Sequence, residues 1–517
     1  MRFSEQHIRT VHIREPRLEF GYGQQDLHPK TGITLYGPAR GTPKPDIRIG
    51  VIGTPEGLQH FRVWANRVQG MIDIPERTSK DKAQRPHLSP FPGIEETFGL
   101  RYAEDTFVEY NIHQAEIIRT IGLANKHEAV AATVALYTSK VESHQLEEET
   151  TVDMWFFVIN EIIFRHCRPA SKRTGVALSP GDFAKSQKRP SFLPLLEDII
   201  DLSGETIFDD TPDFHRQVKA RMLSLQAPTQ IVRETTLHPE AFVNENGYAL
   251  RPIQDAATTA WNLATGMYYK TQPHPPWHVA DMRPDVCYIG LVFKQIPNDS
   301  RQYSCCAAQM FLNEGDGVVF RGANGPWKTS DYEHHLSFEE AGNLIKKVLK
   351  AYHARFNRNP KELFIHGRAE FNDQEWAAFR EAAPEGTNII TVRITKTSGD
   401  MKLFRDEGDY PCIRGTALLL TATTGYLWAS GYVPRIDSYL GPETPNPLQV
   451  RVLRHTGEKP DLELVMADIL GLTKINYNAC NYGDGLPVTI RFAEKVGEVL
   501  VNKSARDAAR QPFKFYI

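Results

Sequence analysis

Apolar and polar positions along the chain switch repeatedly between a period of two and a period near 3.6. Asp46-Ile47-Arg48-Ile49-Gly50-Val51-Ile52 alternates and then runs apolar, as a strand does, and Thr54 to Val68 follows with helical spacing. The pair predicts a β-α unit. Helical spacing returns from Asn111 to Leu123 and from Lys126 to Ser143, and Met154-Trp155-Phe156-Phe157-Val158-Ile159 is a run suited to a strand buried on both faces. Further strands are predicted at Thr229 to Arg233, Val286 to Lys294, Ala307 to Leu312, Gly317 to Phe320, Glu362 to Ile365, Asn388 to Ile394, Thr416 to Thr421 and Leu448 to Leu453. Helices are predicted at Phe338 to Phe356, Asp373 to Ala383, Asp461 to Leu470 and Ile490 to Asn502. Strands alternating with helices indicate an α/β fold. The Pro, Ser and charged residues from Glu76 to Pro92 read as a loop, and Pro273-His274-Pro275-Pro276-Trp277 precedes a division near residue 280.

Composition narrows the class. A chain of 517 residues, 41% apolar and 24% charged, has the length of two to four ordinary domains and describes packed rather than disordered material. Its net charge of −3 means that any nucleic-acid binding must come from locally focused basic residues. Cys167, Cys287, Cys305, Cys306, Cys412 and Cys480 form no CxxC pair, and Met1 to Gln6 has no apolar signal core, which predicts a reducing cytoplasm. No segment approaches the roughly 20 apolar residues of a membrane span.

Three groups of residues could carry chemistry. His215 and Lys219, four apart in Phe214-His215-Arg216-Gln217-Val218-Lys219, point to one side if that segment is helical. With Gln230 of Ala227-Pro228-Thr229-Gln230 and Lys270 of Met267-Tyr268-Tyr269-Lys270 they could receive an anion such as a terminal phosphate. A solvated amphipathic helix is the alternative. Lys474 and Asn478, then Arg491 and Lys495, could line a groove that tracks a phosphate backbone, or could be ordinary surface charge. The end of the sequence, Pro512-Phe513-Lys514-Phe515-Tyr516-Ile517, is apolar enough to be docked, and its α-carboxylate could then ligate a divalent ion; core packing would explain the aromatics equally well.

Against these stands a missing acid. A strand patterned like Val286 to Lys294 often ends on a metal-binding aspartate, and here it carries Val292. Two-metal phosphodiester hydrolysis needs several carboxylates at one point to hold hard cations, and valine can hold none. His334-His335 and Cys305-Cys306 lack a second pair at zinc-ligand spacing, and neither a P-loop nor a GxSxG motif is present.

Taken in order, Leu18-Glu19-Phe20-Gly21 with Gly32 to Pro38, the PTQ of Pro228 to Gln230, the YYK ending at Lys270, LFIHG at Leu363 to Gly367, LTKINYN from Leu472 to Asn478 and PVTIRFAEK from Pro487 to Lys495 resemble a short prokaryotic Argonaute, the type with only MID and PIWI domains. The resemblance covers essentially the whole chain. It implies a Rossmann-like MID domain with an N-terminal extension over 1–280 and a ribonuclease H-like PIWI domain over 281–517. It implies a pocket for a guide 5′-phosphate formed by His215, Lys219, Gln230 and Lys270, with His215 where many relatives have tyrosine. The interval from Gln230 to Lys270 is longer than in many relatives. Ile517 would reach this pocket and help bind Mg2+. Of the catalytic tetrad, Val292 and Gly367 occupy two acid positions and Glu494 could match the fourth, which implies no slicing.

Short, inactive members resemble sensors. The resemblance implies a small guide RNA, a complementary single-stranded DNA target from plasmid or phage, and a partner with an APAZ-like region and a TIR, sirtuin-like or nuclease effector. Activation could proceed through a higher oligomer. The competing expectations are a guide-directed nuclease using other acids, such as Asp285, Glu339 or Glu370, and an α/β interaction protein that binds no nucleic acid.

Overall fold

The computed structural model describes residues 8–40, 44–74, 88–103, 107–171, 210–295, 303–311, 317–320, 327–328, 334–399, 401–439, 441, 443–505 and 511–517. Its first sheet is built from Ile49–Gly53 (β1), Val108–Asn111 (β2), Met154–Ile159 (β3) and Thr229–Arg233 (β4), all parallel in the order β2-β1-β3-β4. Both central strands, β1 and β3, are buried at every position. That is what continuous apolar runs require when helices cover both faces of a sheet. Those helices include Pro55–Arg67 (α1), Gln114–Ile121 (α2), Lys126–Glu147 (α3), Phe214–Ser224 (α4) and Ala256–Thr271 (α5). Side chains close their N-termini: Thr54 accepts from the Gly57 amide, Asn125 from His127, Asp213 from His215 and Asp255 from Thr258.

The second sheet is mixed. It comprises Val286–Gln295 (β5), Tyr303–Phe311 (β6), Gly317–Phe320 (β7), Glu362–Gly367 (β8), Asn388–Lys396 (β9), Thr416–Leu419 (β10), Thr424–Leu427 (β11) and Leu448–His455 (β12). The order is Arg9–His12, β10, β11, β12, β9, β8, β5, β6, β7, with β5, β8 and β9 parallel and the other pairs antiparallel. Residues alternate faces along its strands. Cys287, Ile289, Leu363 and Ile365 join Phe338–Phe356 (α6) and the helix beginning at Asp373 (α7, Asp373–Ala382) in one core. Tyr288, Phe364 and Ile390 face the opposite core with Leu462–Leu472 (α8) and Val488–Leu500 (α9). That core continues past residue 280 to Trp261, Tyr268 and Tyr269 of α5.

Most elements fall within a few residues of their sequence expectations, and β4, β7 and α6 match them end to end. Two differences matter. Residues 9–12, which the division near 280 assigns to the first unit, form the outermost strand of the second sheet. The strand expected over Thr416 to Thr421 ends at Leu419 and turns back as β11, because Thr421 through Thr424 close a tight hydrogen-bonded turn. The loop expected from Glu76 lies largely outside the described residues. No helix among the described residues is long and apolar enough to cross a membrane.

The N-terminal segment is tied down by charge as well as by its strand. Glu15 accepts from Arg414 at 3.0 Å and from Lys474 at 2.9 Å, and Lys474 also donates to the Leu27 carbonyl at 2.7 Å. Although burial opposes the charge, Arg414 and Lys474 hold the Glu15 carboxyl below its ordinary range. A depressed carboxylate contributes stability at neutral pH that is lost as pH falls through the folded pKa. We expect Glu15→Gln to lower stability at neutral pH by about 2 kcal/mol, through loss of two charge-assisted bonds. Urea titrations at pH 7 and in mild acid would measure this, the difference between the two proteins shrinking in acid.

Candidate nucleic-acid interface

α4 sets His215 and Lys219 one turn apart on the same side, and the two side chains meet different environments. Lys219 is 1% exposed, and its ammonium donates to the Thr229 carbonyl at 2.7 Å and to the main-chain oxygen of Ile517. The last residue of the sequence is itself buried, held by Phe513 and Tyr516 in the core that includes Tyr269. From the adjacent position on β4, the Gln230 side-chain oxygen accepts from Lys270 at the end of α5. One turn earlier on α5 is Gly266, where a Cβ would lie 3.8 Å from both the Gln230 and the Asn478 side-chain oxygens. Asn478 therefore enters the same place from the segment after α8. Five stretches of the sequence converge here.

The electrostatics are unusual for a protein interior. Lys270 is 2% exposed, and burial pushes its pKa down to about 7. Burial, and then the neighbouring Lys270 charge, holds Lys219 far below the ordinary lysine range. The partners of these two groups are the Thr229 carbonyl, the Gln230 amide oxygen and the main-chain oxygen of Ile517, with no carboxylate side chain between them. An anion entering here would meet cationic groups that have no side-chain counter-ion. His215 is exposed at the surface, and partial desolvation, then the neighbouring charges of Lys219, Lys495, Lys270 and Arg216, push its pKa down. Lys495 thus acts on the group around His215.

A pH dependence follows. A phosphate monoester carries its second charge above about pH 6. Above pH 7 Lys270 is increasingly neutral in the free protein, so binding a phosphate must then take up a proton. The advantage of a 5′-phosphate over a 5′-hydroxyl strand is expected to peak near pH 6–7 and to fall by up to about tenfold per pH unit above that. Paired titrations of the two strands between pH 6 and 9 would read it; a flat ratio would contradict it.

Beside His215 opens a cavity of about 500 Å3, between the helical turn Glu161–His166, the start of α4 and β4. Phe164, Phe214 and Ile231 give it apolar walls. The Arg233 guanidinium lies 3.6 Å from the centroid of the Phe164 ring, and Arg168 also lies over that ring, at 4.5 Å. Neither arginine stands out in the sequence, where nothing links them to Phe164 except the fold.

Of the four residues expected along a strand's backbone, one is placed where no strand can reach it. Lys474 corrects the expectation most plainly: its side chain is fully buried, bonded to Glu15 and Leu27 and set 4.1 Å from the centroid of Tyr482. Asn478 lies beside Gln230, and Lys495 acts on His215. Arg491 is partly exposed and ion-paired with Asp484.

The three tetrad positions all fall within the described residues. Val292, 7% exposed, follows a bulge in the pairing of β5 with β6. At Gly367, the end of β8, a Cβ would come within 2.7 Å of the Phe371 ring, so the space a larger side chain would need is already filled. Glu494 on α9 is ion-paired with Arg368. His366, 1% exposed, bonds Thr489 at 2.9 Å, and burial pushes its pKa down to about 3. The alternative acids do not gather here. Asp285 pairs with Arg358 and Lys361 at the opposite end of β5, about 20 Å from Val292 at the usual strand rise. Glu339 is exposed on the first turn of α6, and Glu370 is shared by two arginines. His335 is bonded to the buried Glu375 at 2.8 Å, and the side chains of Cys305 and Cys306 lie outside the described residues. Among the described residues, no three His, Cys, Asp or Glu side chains come together as a metal-binding group.

No family model matches the chain, and no curated protein matches it. Solved structures do. The chain is similar to Clostridium butyricum Argonaute bound to a guide DNA and a 19-mer target DNA, with a TM-score of 0.59 and 15% identity, over 96% of this chain and 53% of that one. It is also similar to an Aquifex aeolicus Argonaute with externally bound siRNA, with a TM-score of 0.55 and 13% identity, over 98% and 56%. A further Aquifex aeolicus Argonaute structure gives a TM-score of 0.52 at 14% identity, over 97% and 54%. The chain spans about half the length of these proteins and has an Argonaute-like α/β fold.

Proposed function

We propose that this chain is a short Argonaute-type module of MID and PIWI domains. In this reading it binds a small guide RNA by its 5′-phosphate, pairs it with complementary single-stranded DNA of plasmid or phage origin, and does not cut. The observation that carries the reading is the convergence of Lys219, Gln230, Lys270, Asn478 and Ile517 on one point, with two buried ammonium groups and no side-chain carboxylate to neutralise them. Lys219 and Lys270 would neutralise the phosphate, Gln230 would orient it, and the flat, neutral His215 ring would stack on the first base. The adjoining cavity, walled by Phe164 and Ile231, has room for that base.

The same reading takes in Mg2+, which the Ile517 oxygen and the guide phosphate would hold together. The ion commonly binds through one or two protein oxygens plus the phosphates of its ligand, and the Ile517 oxygen is turned toward Lys219. Bound there, the ion would neutralise phosphate charge that the two lysines leave over.

Loss of slicing is supported by Val292, by the filled space at Gly367, and by the engagement of Glu494 with Arg368. The response to a target would then belong to a partner chain. We place that chain in the class carrying an APAZ-like region and a TIR, sirtuin-like or nuclease effector, in a soluble abortive-infection complex that could enlarge on activation. Purification from the native host, with sequencing of bound nucleic acid and mass spectrometry of bound protein, tests both parts. Short 5′-phosphorylated RNAs and an APAZ-containing partner are expected; a chain that emerges with neither overturns the reading.

A further inference from the structure

The end of β8 gathers three arginines that the phosphate pocket does not use. Gly367, Arg393 and Arg451 stand opposite one another on the adjacent strands β8, β9 and β12. Arg368 follows at once, and its carbonyl accepts from the Arg393 Nε at 3.1 Å. Glu370 lies between Arg393, at 3.2 Å, and Arg451, at 2.9 Å, while Glu494 takes Arg368. Three guanidinium groups therefore share two carboxylates. Their side chains are 49%, 32% and 51% exposed for Arg368, Arg393 and Arg451, so solvent reaches all three. Each guanidinium carries five N–H donors in a planar fork suited to phosphate oxygens, and these ion pairs use only some of them.

The position gives the cluster its meaning. It occupies the sheet end where Val292 and Gly367 stand in place of acids, so fixed cations are found where a hydrolytic site would gather carboxylates around metal ions. Helix α9 joins it to α4 of the phosphate pocket: Glu494 pairs with Arg368, and one turn on Glu498 accepts from Arg216 at 3.0 Å. Of the three, Arg368 is the one tied to α9; Arg393 and Arg451 lie in register with Gly367, on the sheet face that carries Leu363, Ile365 and Ile389.

We propose that Arg368, Arg393 and Arg451 form a metal-independent clamp for the phosphodiester backbone of a guide–target duplex, in place of the metal ions of a cleaving site. The proposal rests on the guide-binding reading. Mobile ions are not needed for it: the charge is covalently attached and set by strand register.

The test compares the full chain with Arg393→Ala/Arg451→Ala and with Arg393→Lys/Arg451→Lys. Binding of a 5′-phosphorylated guide alone, and of the same guide pre-annealed to its complement, is measured by anisotropy across a salt series, with and without EDTA. The alanine variant is expected to lose about tenfold in duplex affinity and about 2 units of the salt slope, one for each phosphate no longer engaged. Its guide-alone affinity should change less than about twofold, and the lysine variant should recover most of the slope. The difference between parent and variant should persist in EDTA. Equal duplex affinity and slope in parent and alanine variant, with guide binding intact, overturns the clamp while leaving the guide reading standing. A difference that vanishes in EDTA assigns the interaction to a metal and also overturns it. If the parent binds neither guide nor duplex, both readings fall.

Discussion

Replacing Lys219 by alanine is expected to weaken binding of a 5′-phosphorylated guide by about 100-fold, close to 3 kcal/mol. The ammonium is buried beside Thr229 and Ile517, where one charge-assisted hydrogen bond is worth about 1.5–3 kcal/mol and desolvation strengthens it. Lys219 also holds the Thr229 carbonyl and Ile517 in place, so a purely structural role must be separated from phosphate recognition. The 5′-hydroxyl guide does that. If Lys219 only supports the fold, both guides weaken together; if it receives the phosphate, the hydroxyl guide keeps its affinity and the ratio between the two collapses. Lys270→Gln, which leaves Lys219 in place, should narrow the same ratio by about tenfold.

Placing acids at Val292 and Gly367 is expected to give no cleavage and a chain less stable by about 3–6 kcal/mol. Val292 is 7% exposed, and a carboxylate there would be desolvated without a built partner, at roughly 2 kcal/mol or more. At Gly367 the new Cβ meets Phe371 at 2.7 Å, and overpacking of that kind costs about 1–3 kcal/mol. The acid nearest these positions, Glu494, is already ion-paired with Arg368 and so is not free to join a metal-binding group. Thermal melts and an assay of paired-target cleavage in Mg2+ and Mn2+ read both parts. Metal-dependent cleavage by Val292→Asp/Gly367→Asp would show that the site had merely lost its ligands and was otherwise built for catalysis.

The parts of the molecule that sequence exposes most clearly are those with strong local periodicity. Met154–Ile159 can be read as a doubly covered strand because all six side chains are apolar, and Phe338–Phe356 as a helix because Ser337 and Glu340 form a capping box ahead of a regular stripe. Arg9–His12 gives no such signal: it is short, polar and at an edge, and its partner appears only after most of the chain. Helix α5 is masked for the opposite reason, since it is buried around most of its circumference and so has no polar face to set a period.

For the candidate site, residue identity is legible in the sequence while environment is not. Lys219, Gln230 and Lys270 can be named from motifs, and the structure brings them together. Lys474 looks the same in sequence, but its counter-ion Glu15 is 459 positions away and the pair is sealed in the interior. Arg393 and Arg451 become visible as a unit only through the register of β9 and β12. Periodicity reports which way a side chain faces along its own element; it does not report which distant segment lies opposite.

The outermost strand of the large sheet has a consequence for biosynthesis. Arg9 pairs with Leu419 and His12 with Thr416, so this strand leaves the ribosome roughly 400 residues before its template exists, an interval of about 20–80 seconds at ordinary elongation rates. Throughout that time the first sheet can assemble, while the N-terminal strand and the Glu15 anchor behind it wait unpaired. The segment around Arg9–His12 is therefore the part of the nascent sheet open longest to mispairing and proteolysis. Slowing translation should lengthen that exposure, whereas supplying the later half of the sheet in trans should shorten it.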